Sequence, residues 1–198
     1  MMRDLKRSSL ILIVSFLLVG LISCTPPIEK LFNKGLKYGS QGKFYEAKQE
    51  FQKSLDFNPD RLFKAARDCL KLIDDALYKR VEKEVVIHLF KGIIYGNKEM
   101  NEEVIAEINK GIAINPNYAD AHYLLGCAYI NSGMFNEGID EYTKAIVLNP
   151  NYVEAYNNLA IAFYYNEQYK LAIDNYDKLI ELGYEADPLF LKYLAQHR

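Results

Sequence analysis

Apolar and polar positions separate the chain into three regimes. From Leu10 to Ile22 the residues are apolar except for Ser15 and Gly20. Thirteen residues are too few to cross a bilayer, which takes about 20, but they suit the apolar core of an export signal, roughly 7–15 residues long. From residue 28 onward the pattern changes to amphipathic stretches of helical period in pairs, each pair closing on an Asn-Pro or Gly stop. The pairs occupy residues 28–61, 85–118, 119–152 and 153–186. Between the first two lies a stretch with one helical stripe, Leu62, Ala66, Cys69, Ile73 and Leu77. Residues 61–91 contain no Gly, Pro, Asn, Ser or Thr. The stretch therefore predicts either one long helix or a break without ordinary turn chemistry around residues 79–84. An odd helix at 62–84 interrupts the alternation of pairs, and predicts a separate three-helix layer made of it and the first pair. Residues 187–198 begin with Asp187 at an N-cap and Pro188 at the first helical position. Leu189, Phe190, Tyr193 and Leu194 give them one apolar face, so they predict a helix capping the last pair.

The pairs repeat one another. Asn115-Pro116-Asn117-Tyr118 returns 34 residues later as Asn149-Pro150-Asn151-Tyr152, and Asn58-Pro59-Asp60 echoes both. Residues 119–152 hold Leu125-Gly126, Tyr129, Gly133, Tyr142, Ala145 and Pro150. In spacing and type these resemble the signature of the tetratricopeptide repeat, with His122 where Trp is common and Gly138 where Ala is usual. Residues 153–186 match through Tyr156, Leu159, Ala160, Phe163, Ala172 and Tyr176. Residues 85–118 keep Gly92, Tyr95, Gly111 and Pro116, but carry Lys91, Val104 and Ile108 at signature places. Residues 28–61 keep Gly35, Tyr38, Gly42, Ala47, Phe51 and Pro59. The resemblance implies an all-α fold, a right-handed α-solenoid of helix-turn-helix repeats. Elementary packing points the same way: one helical pair cannot bury its apolar face alone, so pairs must stack. Small residues such as Gly126, Ala160 and Ala172 let helices approach, and Tyr129, Tyr142, Phe163 and Tyr176 are expected to fill the space between them.

The N-terminal run ends in Leu21-Ile22-Ser23-Cys24, preceded by a basic stretch with Arg3, Lys6 and Arg7. This resembles the lipobox of bacterial lipoproteins. It implies a signal peptide over residues 1–23, a lipid-bearing Cys24, and a tether of residues 24–27 before the first repeat. The expected location is the cell envelope, lipid-anchored to a membrane on its periplasmic side, with surface exposure as an alternative. The whole chain has 24 Lys and Arg against 26 Asp and Glu. Without the signal 21 basic and 25 acidic residues remain, net −4. No basic stripe suggests nucleic acid as a partner. Cys69 and Cys127 both lie in apolar helical patterns, and are expected as buried thiols rather than a disulfide framework.

No catalytic set is legible. There is no Ser-His-Asp order, phosphate-cradling Gly-rich loop or paired-Cys motif. His88 and His122 stand 34 residues apart, but two imidazoles fall short of the four ligands a zinc site takes; they are expected to replace a bulky core aromatic. Asp74-Asp75 and Glu102-Glu103 are expected on solvated faces. No metal, cofactor or enzymatic activity is therefore expected. The first helices of the repeats offer a second face at offsets of three and four. It holds Val86, Leu89, Ile93 and Asn97, then Asp120, Tyr123, Cys127 and Asn131, then Glu154, Asn157, Ile161 and Tyr165. In the repeat family this face lines a peptide-binding groove. With no Lys or Arg here, the family's clamp for a terminal carboxylate is not expected. The face reads as an apolar and aromatic groove for a peptide or helix of a protein partner, one associated with the same membrane because the tether is short. The alternatives are a structural subunit of an envelope assembly and, with less support, an envelope hydrolase.

Overall fold

The computed structural model describes residues 26–57, 62–185 and 187–197. Residues 1–25, with the signal and Cys24, lie outside them, as do Asn58-Pro59-Asp60. All regular structure among the described residues is α-helical. The helices are α1 Pro26–Ser40, α2 Phe44–Phe57, α3 Leu62–Leu77, α4 Lys83–Gly96, α5 Asn101–Ile114, α6 Ala119–Asn131, α7 Phe135–Leu148, α8 Val153–Tyr165, α9 Tyr169–Glu181 and α10 Pro188–Ala195. No described helix is long and apolar enough to cross a membrane.

Local chemistry sets where the helices stop. Asn115 and Asn149 leave the helix at φ −133°, ψ 94° and φ −136°, ψ 91°. The prolines that follow forbid continuation. Each Asn side chain then accepts a hydrogen bond from the backbone N–H two residues on, Asn117 at 3.0 Å and Asn151 at 3.2 Å. The turn inside each hairpin needs one left-handed residue. It is Gly42 in the first repeat (φ 73°) and Gly133 in the third (φ 77°), but Glu99 in the second (φ 58°) and Glu167 in the fourth (φ 62°).

The chain breaks between α3 and α4 without a glycine. Lys79 takes φ 56°, and the amides of Arg80 and Val81 turn back to the Asp75 carbonyl at 2.8 and 3.3 Å. Arg80 donates to the Asp75 carboxylate at 3.0 Å, and Val81 is buried. Asp75, expected on a solvated face, is buried as the anchor of this turn; Asp74 pairs with Lys48 at 2.7 Å.

The described helices form two compact units, residues 26–117 and residues 118–197. The boundary falls after the second repeat, not after the odd helix. The reason is visible at the start of the N-terminal unit. A Cβ on Gly39 of α1 would lie 2.6 Å from the Phe90 ring of α4, so that ring occupies the gap the missing side chain leaves. Phe32, Phe51 and Phe90 continue the contact as a row, with centroids 5.4 and 6.0 Å apart. α3 packs on α2 and α4 instead of separating the first hairpin from the second.

In the C-terminal unit α7 lies between α6 and α8, and α9 packs on α8. Tyr142 and Tyr176 are wholly buried, at 0% and 1% exposure. Tyr129 and Phe163, expected beside them in the core, are only half-buried. α10 closes the last hairpin. Asp187 caps it by accepting from the amides of Leu189 and Phe190, and Leu194 seats against Ala160, Ala172, Tyr176 and Leu179.

Candidate functional site

The face anticipated as a groove divides into a buried part and an open part. On α4, Val86 and Leu89 are wholly buried and Ile93 is 7% exposed, so these side chains belong to the packed interior. Asn97, the C-cap of that helix, is half-buried. On α6, Tyr123 and Cys127 are buried as well. They are held in a polar cluster that ties three helices together. The Tyr142 hydroxyl donates to Cys127 Sγ at 3.3 Å. Asn158 Nδ2 of α8 lies 3.2 Å from the Tyr123 hydroxyl and 3.4 Å from that of Tyr142. Burial pushes the Tyr142 hydroxyl well above its ordinary pKa, with the adjacent Cys127 acting in the same direction, so it stays a neutral donor. Beside the cluster the Tyr152 ring lies 5.0 Å from that of Tyr123, tilted by 32°, and its hydroxyl donates to Asp120 at 2.5 Å.

What remains open lies at the end of α6 and along α8. Asn131, Asn157, Ile161 and Tyr165 are half-buried. The last three stand four residues apart and share one side of α8. The Oδ1 of Asn131 is buried with no hydrogen-bond partner among the described residues. Behind this stripe, Tyr164 contacts Tyr165, Tyr169, Phe190 and Tyr193, with centroids 5.5–6.3 Å away. His197 stacks on Tyr169 at 3.5 Å. These rings are engaged with one another, and the Asn157–Ile161–Tyr165 side of α8 stays half-exposed; more exposed large apolar side chains, among them Tyr45, Tyr78, Val147 and Leu189, stand elsewhere.

The two histidines at equivalent repeat positions are each hydrogen-bonded to a glutamate of the partner helix. His88 Nδ1 lies 2.8 Å from Glu107 Oε2, whose other oxygen takes Lys110 at 2.5 Å. His122 Nδ1 lies 2.6 Å from Glu141 Oε2, and Lys144 is 2.6 Å from Oε1. Burial opposes ionisation of both glutamates, but hydrogen bonds from the flanking Lys and His outweigh it and hold both carboxyls below their usual pKa. An ionised carboxylate only accepts, so each Nδ1 carries the proton. Each hairpin is therefore clasped from its first helix to its second. The signal was in the sequence, since Glu107 and Lys110 recur 34 residues later as Glu141 and Lys144. Glu50 and Lys53 repeat it earlier, with Lys34 as the partner. There Leu31 stands where the histidine would be, and Glu50 Oε2 is buried with no hydrogen-bond partner among the described residues. Among the described residues no group of three or more His, Cys, Asp and Glu is placed to hold a metal ion.

Family models described as tetratricopeptide repeat match residues 31–61, 119–152 and 141–174. The chain carries tetratricopeptide repeats. Its all-helical hairpins have the α-solenoid architecture of such repeats, and solved structures share it. The first tetratricopeptide domain of Spaghetti (RPAP3), bound to the HSP90 peptide SRMEEVD, is 21% identical. The match covers 59% of this chain and 95% of that one at a TM-score of 0.56. MamA is 21% identical over 82% of this chain and 96% of its own, at 0.50. The TPR2AB domain of yeast Sti1 in complex with pHSP90 is 24% identical over 78% and 61%, also at 0.50. At such identities the likeness is one of fold. A search of curated proteins gives no match.

Proposed function

We propose that this chain is a membrane-anchored protein-interaction module of the bacterial cell envelope. The observation that carries the binding role is the half-exposed stripe Asn157–Ile161–Tyr165 of α8; Asn131 of α6 adds a buried carbonyl oxygen with no hydrogen-bond partner among the described residues. A repeat fold spends its side chains on stacking; apolar surface left over, and a buried acceptor left unsatisfied, each mark a contact to be completed. The fold's similarity to a tetratricopeptide domain solved with a bound HSP90 peptide, and to one solved in complex with pHSP90, supports the same reading. The chemistry of the SRMEEVD peptide does not carry over. SRMEEVD is acidic, and neither α6 nor α8 contains a Lys or Arg to receive it.

The anchor rests on the sequence. The apolar run ending in Leu21-Ile22-Ser23-Cys24 supports export and lipidation at Cys24. Since α1 begins at Pro26, two residues past that cysteine, the tether spans only about 7 Å at 3.3–3.6 Å per residue. The module would sit against its membrane, and its partner would be reached there.

The experiment has two arms. Fatty-acid labelling in the native host should mark the wild type and not Cys24→Ser; label on the serine variant would remove the anchor from the proposal. A photo-crosslinker at Tyr165 should capture a membrane-associated protein, and Ile161→Asp should abolish capture with the helical CD signal and melting unchanged. Burial of a carboxylate in an apolar contact is strongly unfavourable. Capture that survives Ile161→Asp would exclude the stripe as the binding surface. The test avoids Tyr123, because its burial and its bond to Asn158 would confound folding with binding.

A further inference from the structure

The outward side of α1 is cationic. Ile28, Phe32, Gly35, Leu36 and Gly39 are buried. Opposite them Lys30, Lys34 and Lys37, spaced by four and three residues, share one exposed side of the helix. Residues 26–43 hold four lysines and a single acid, Glu29, which stands about a quarter-turn from Lys30. Lys34 donates to Glu50 at 3.0 Å, a carboxylate it shares with Lys53. Lys30, Lys37 and Lys43 have no ion-pair partner among the described residues. The repeat register shows what this side does elsewhere. Gly35 and Tyr38 correspond to Gly92 and Tyr95, so Lys30, Asn33 and Lys37 correspond to Ile87, Phe90 and Ile94. On α4 that side faces back to the first repeat, with Phe90 against Gly39 and Ile87 against Gly42. On α8 it is Ala155, Asn158 and Ala162, all buried, and Asn158 reaches Tyr142 of the preceding hairpin. No described helix precedes α1, so there the stacking side is open. A polar surface of any mixed charge would keep such an end soluble; this one has a single dominant sign.

We infer that this side of α1 lies flat on an anionic phospholipid surface, that of the membrane holding the proposed lipid at Cys24, on which the reading rests. Charge complementarity and the tether point to the same occupant. About 7 Å of chain separates that lipid from Pro26, so α1 starts at the headgroups. Standing upright, the helix would lift Lys37 about 16 Å above its first residue, about two Debye lengths at physiological ionic strength. Lying flat, it brings Lys30, Lys34 and Lys37 to the phosphates together. Each lysine held at an anionic surface favours the docked state about fivefold. Tyr38 is half-buried, with Lys34 and Lys43 at 5.6 and 5.9 Å from its ring. It adds an amphipathic ring of the kind enriched at headgroup level.

Lysine footprinting on vesicles tests this. The mature protein, extracted from its host membranes, is reconstituted into vesicles of phosphatidylcholine, and of phosphatidylcholine with phosphatidylglycerol. Flotation with the neutral vesicles reports the anchor alone. Acylation by an N-hydroxysuccinimide ester, read by mass spectrometry, reports the face. With phosphatidylglycerol present, Lys30 and Lys37 should react at least about fivefold more slowly, and high salt should restore them. Lys110 and Lys170, exposed on α5 and α9, should not change. The variant Lys30→Glu/Lys37→Glu should float and melt as the wild type does, and lose the phosphatidylglycerol effect at Lys43. Equal reactivity in the two kinds of vesicle, or slowing confined to Lys30, would overturn the inference with the anchor intact. Slowing that persists at Lys43 in the double variant would overturn it as well, since the attraction would then come from another surface. Failure to float with neutral vesicles, with Lys30 and Lys37 still slowed by phosphatidylglycerol, would refute the anchor and keep the cationic side as a membrane contact.

Discussion

Gly126→Ala should destabilise this protein even though the next repeat already has alanine at the equivalent place, Ala160. Judged by helix propensity alone, the change should help by about 1 kcal/mol. The geometry of the α6–α7 crossing opposes it. A Cβ on Gly126 would lie 2.6 and 2.7 Å from two Tyr142 ring carbons and 3.1 Å from the Gly138 carbonyl oxygen. Carbons in good contact sit about 3.5–4.0 Å apart, so the ring must retreat by about 1 Å. It has nowhere to go: Tyr142 is wholly buried, its ring lies 5.8 Å from that of Tyr123, and its hydroxyl is bonded to Cys127. The opposing atom on α7 is backbone, and the Ile130 side chain fills the gap at Gly138. Overpacking of this kind costs about 1–3 kcal/mol, and loss of the buried hydroxyl bond adds about 1 kcal/mol. The net expectation is about 1–3 kcal/mol of destabilisation. Gly111→Ala is the control. Its Cβ would meet nothing closer than 3.5 Å, and the next repeat has Ala145 there. It should stabilise by about 0.5–1 kcal/mol. For a chain of this size 1 kcal/mol moves the melting temperature by about 2–4 °C. Thermal melts followed by CD should therefore shift in opposite directions. A rise for Gly126→Ala, or equal shifts for both, would refute the close-approach argument.

Glu167→Gly should raise the melting temperature by a few degrees. It removes a left-handed strain of about 1–2 kcal/mol against a glycine entropy cost of about 0.5–1 kcal/mol; a fall would show that the Glu167 side chain is needed there. Glu141→Gln should cost about 1–2 kcal/mol near neutral pH, since it weakens charge-assisted bonds to His122 and to the exposed Lys144. Because the folded Glu141 pKa lies below its ordinary 4.5, that contribution is present above pH 4.5 and disappears as acid protonates the folded carboxylate. Urea melts of wild type and variant should converge on acidification below that value, and a gap independent of pH would argue against an ionised clasp. Asp187→Ala should cost about 0.5–2 kcal/mol locally. Hydrogen exchange at Leu189 and Phe190 should quicken while the amides of α6 and α7 are unaffected; unchanged exchange at both would mean the cap carries no weight.

The sequence by itself determined the repeat period, the helical pairs and their stops. These follow from short-range chemistry: proline removes a donor and fixes φ, and Asn folds back on its own turn. The Asp187-Pro188 start of α10 was legible for the same reason. The break near residues 79–84 was legible only as one of two alternatives, the other being a single long helix, because its left-handed Lys79 is held by Arg80 reaching Asp75 and by burial of Val81, not by a residue that prefers the turn. Which groove residues stay open was likewise a tertiary decision. In α6 nearly every residue is buried, and a helix apolar all round does not reveal which side faces a partner. Tyr123 and Cys127 share a heptad side with Asn131, yet Asn158 and Tyr142 enclose the first two and leave the third half-open. The His–Glu–Lys clasps recur at the repeat spacing, but their meaning depends on helices nineteen residues apart in sequence being brought to 2.6–2.8 Å. Periodicity records which residues face inward along one helix; only packing decides what each of them meets there.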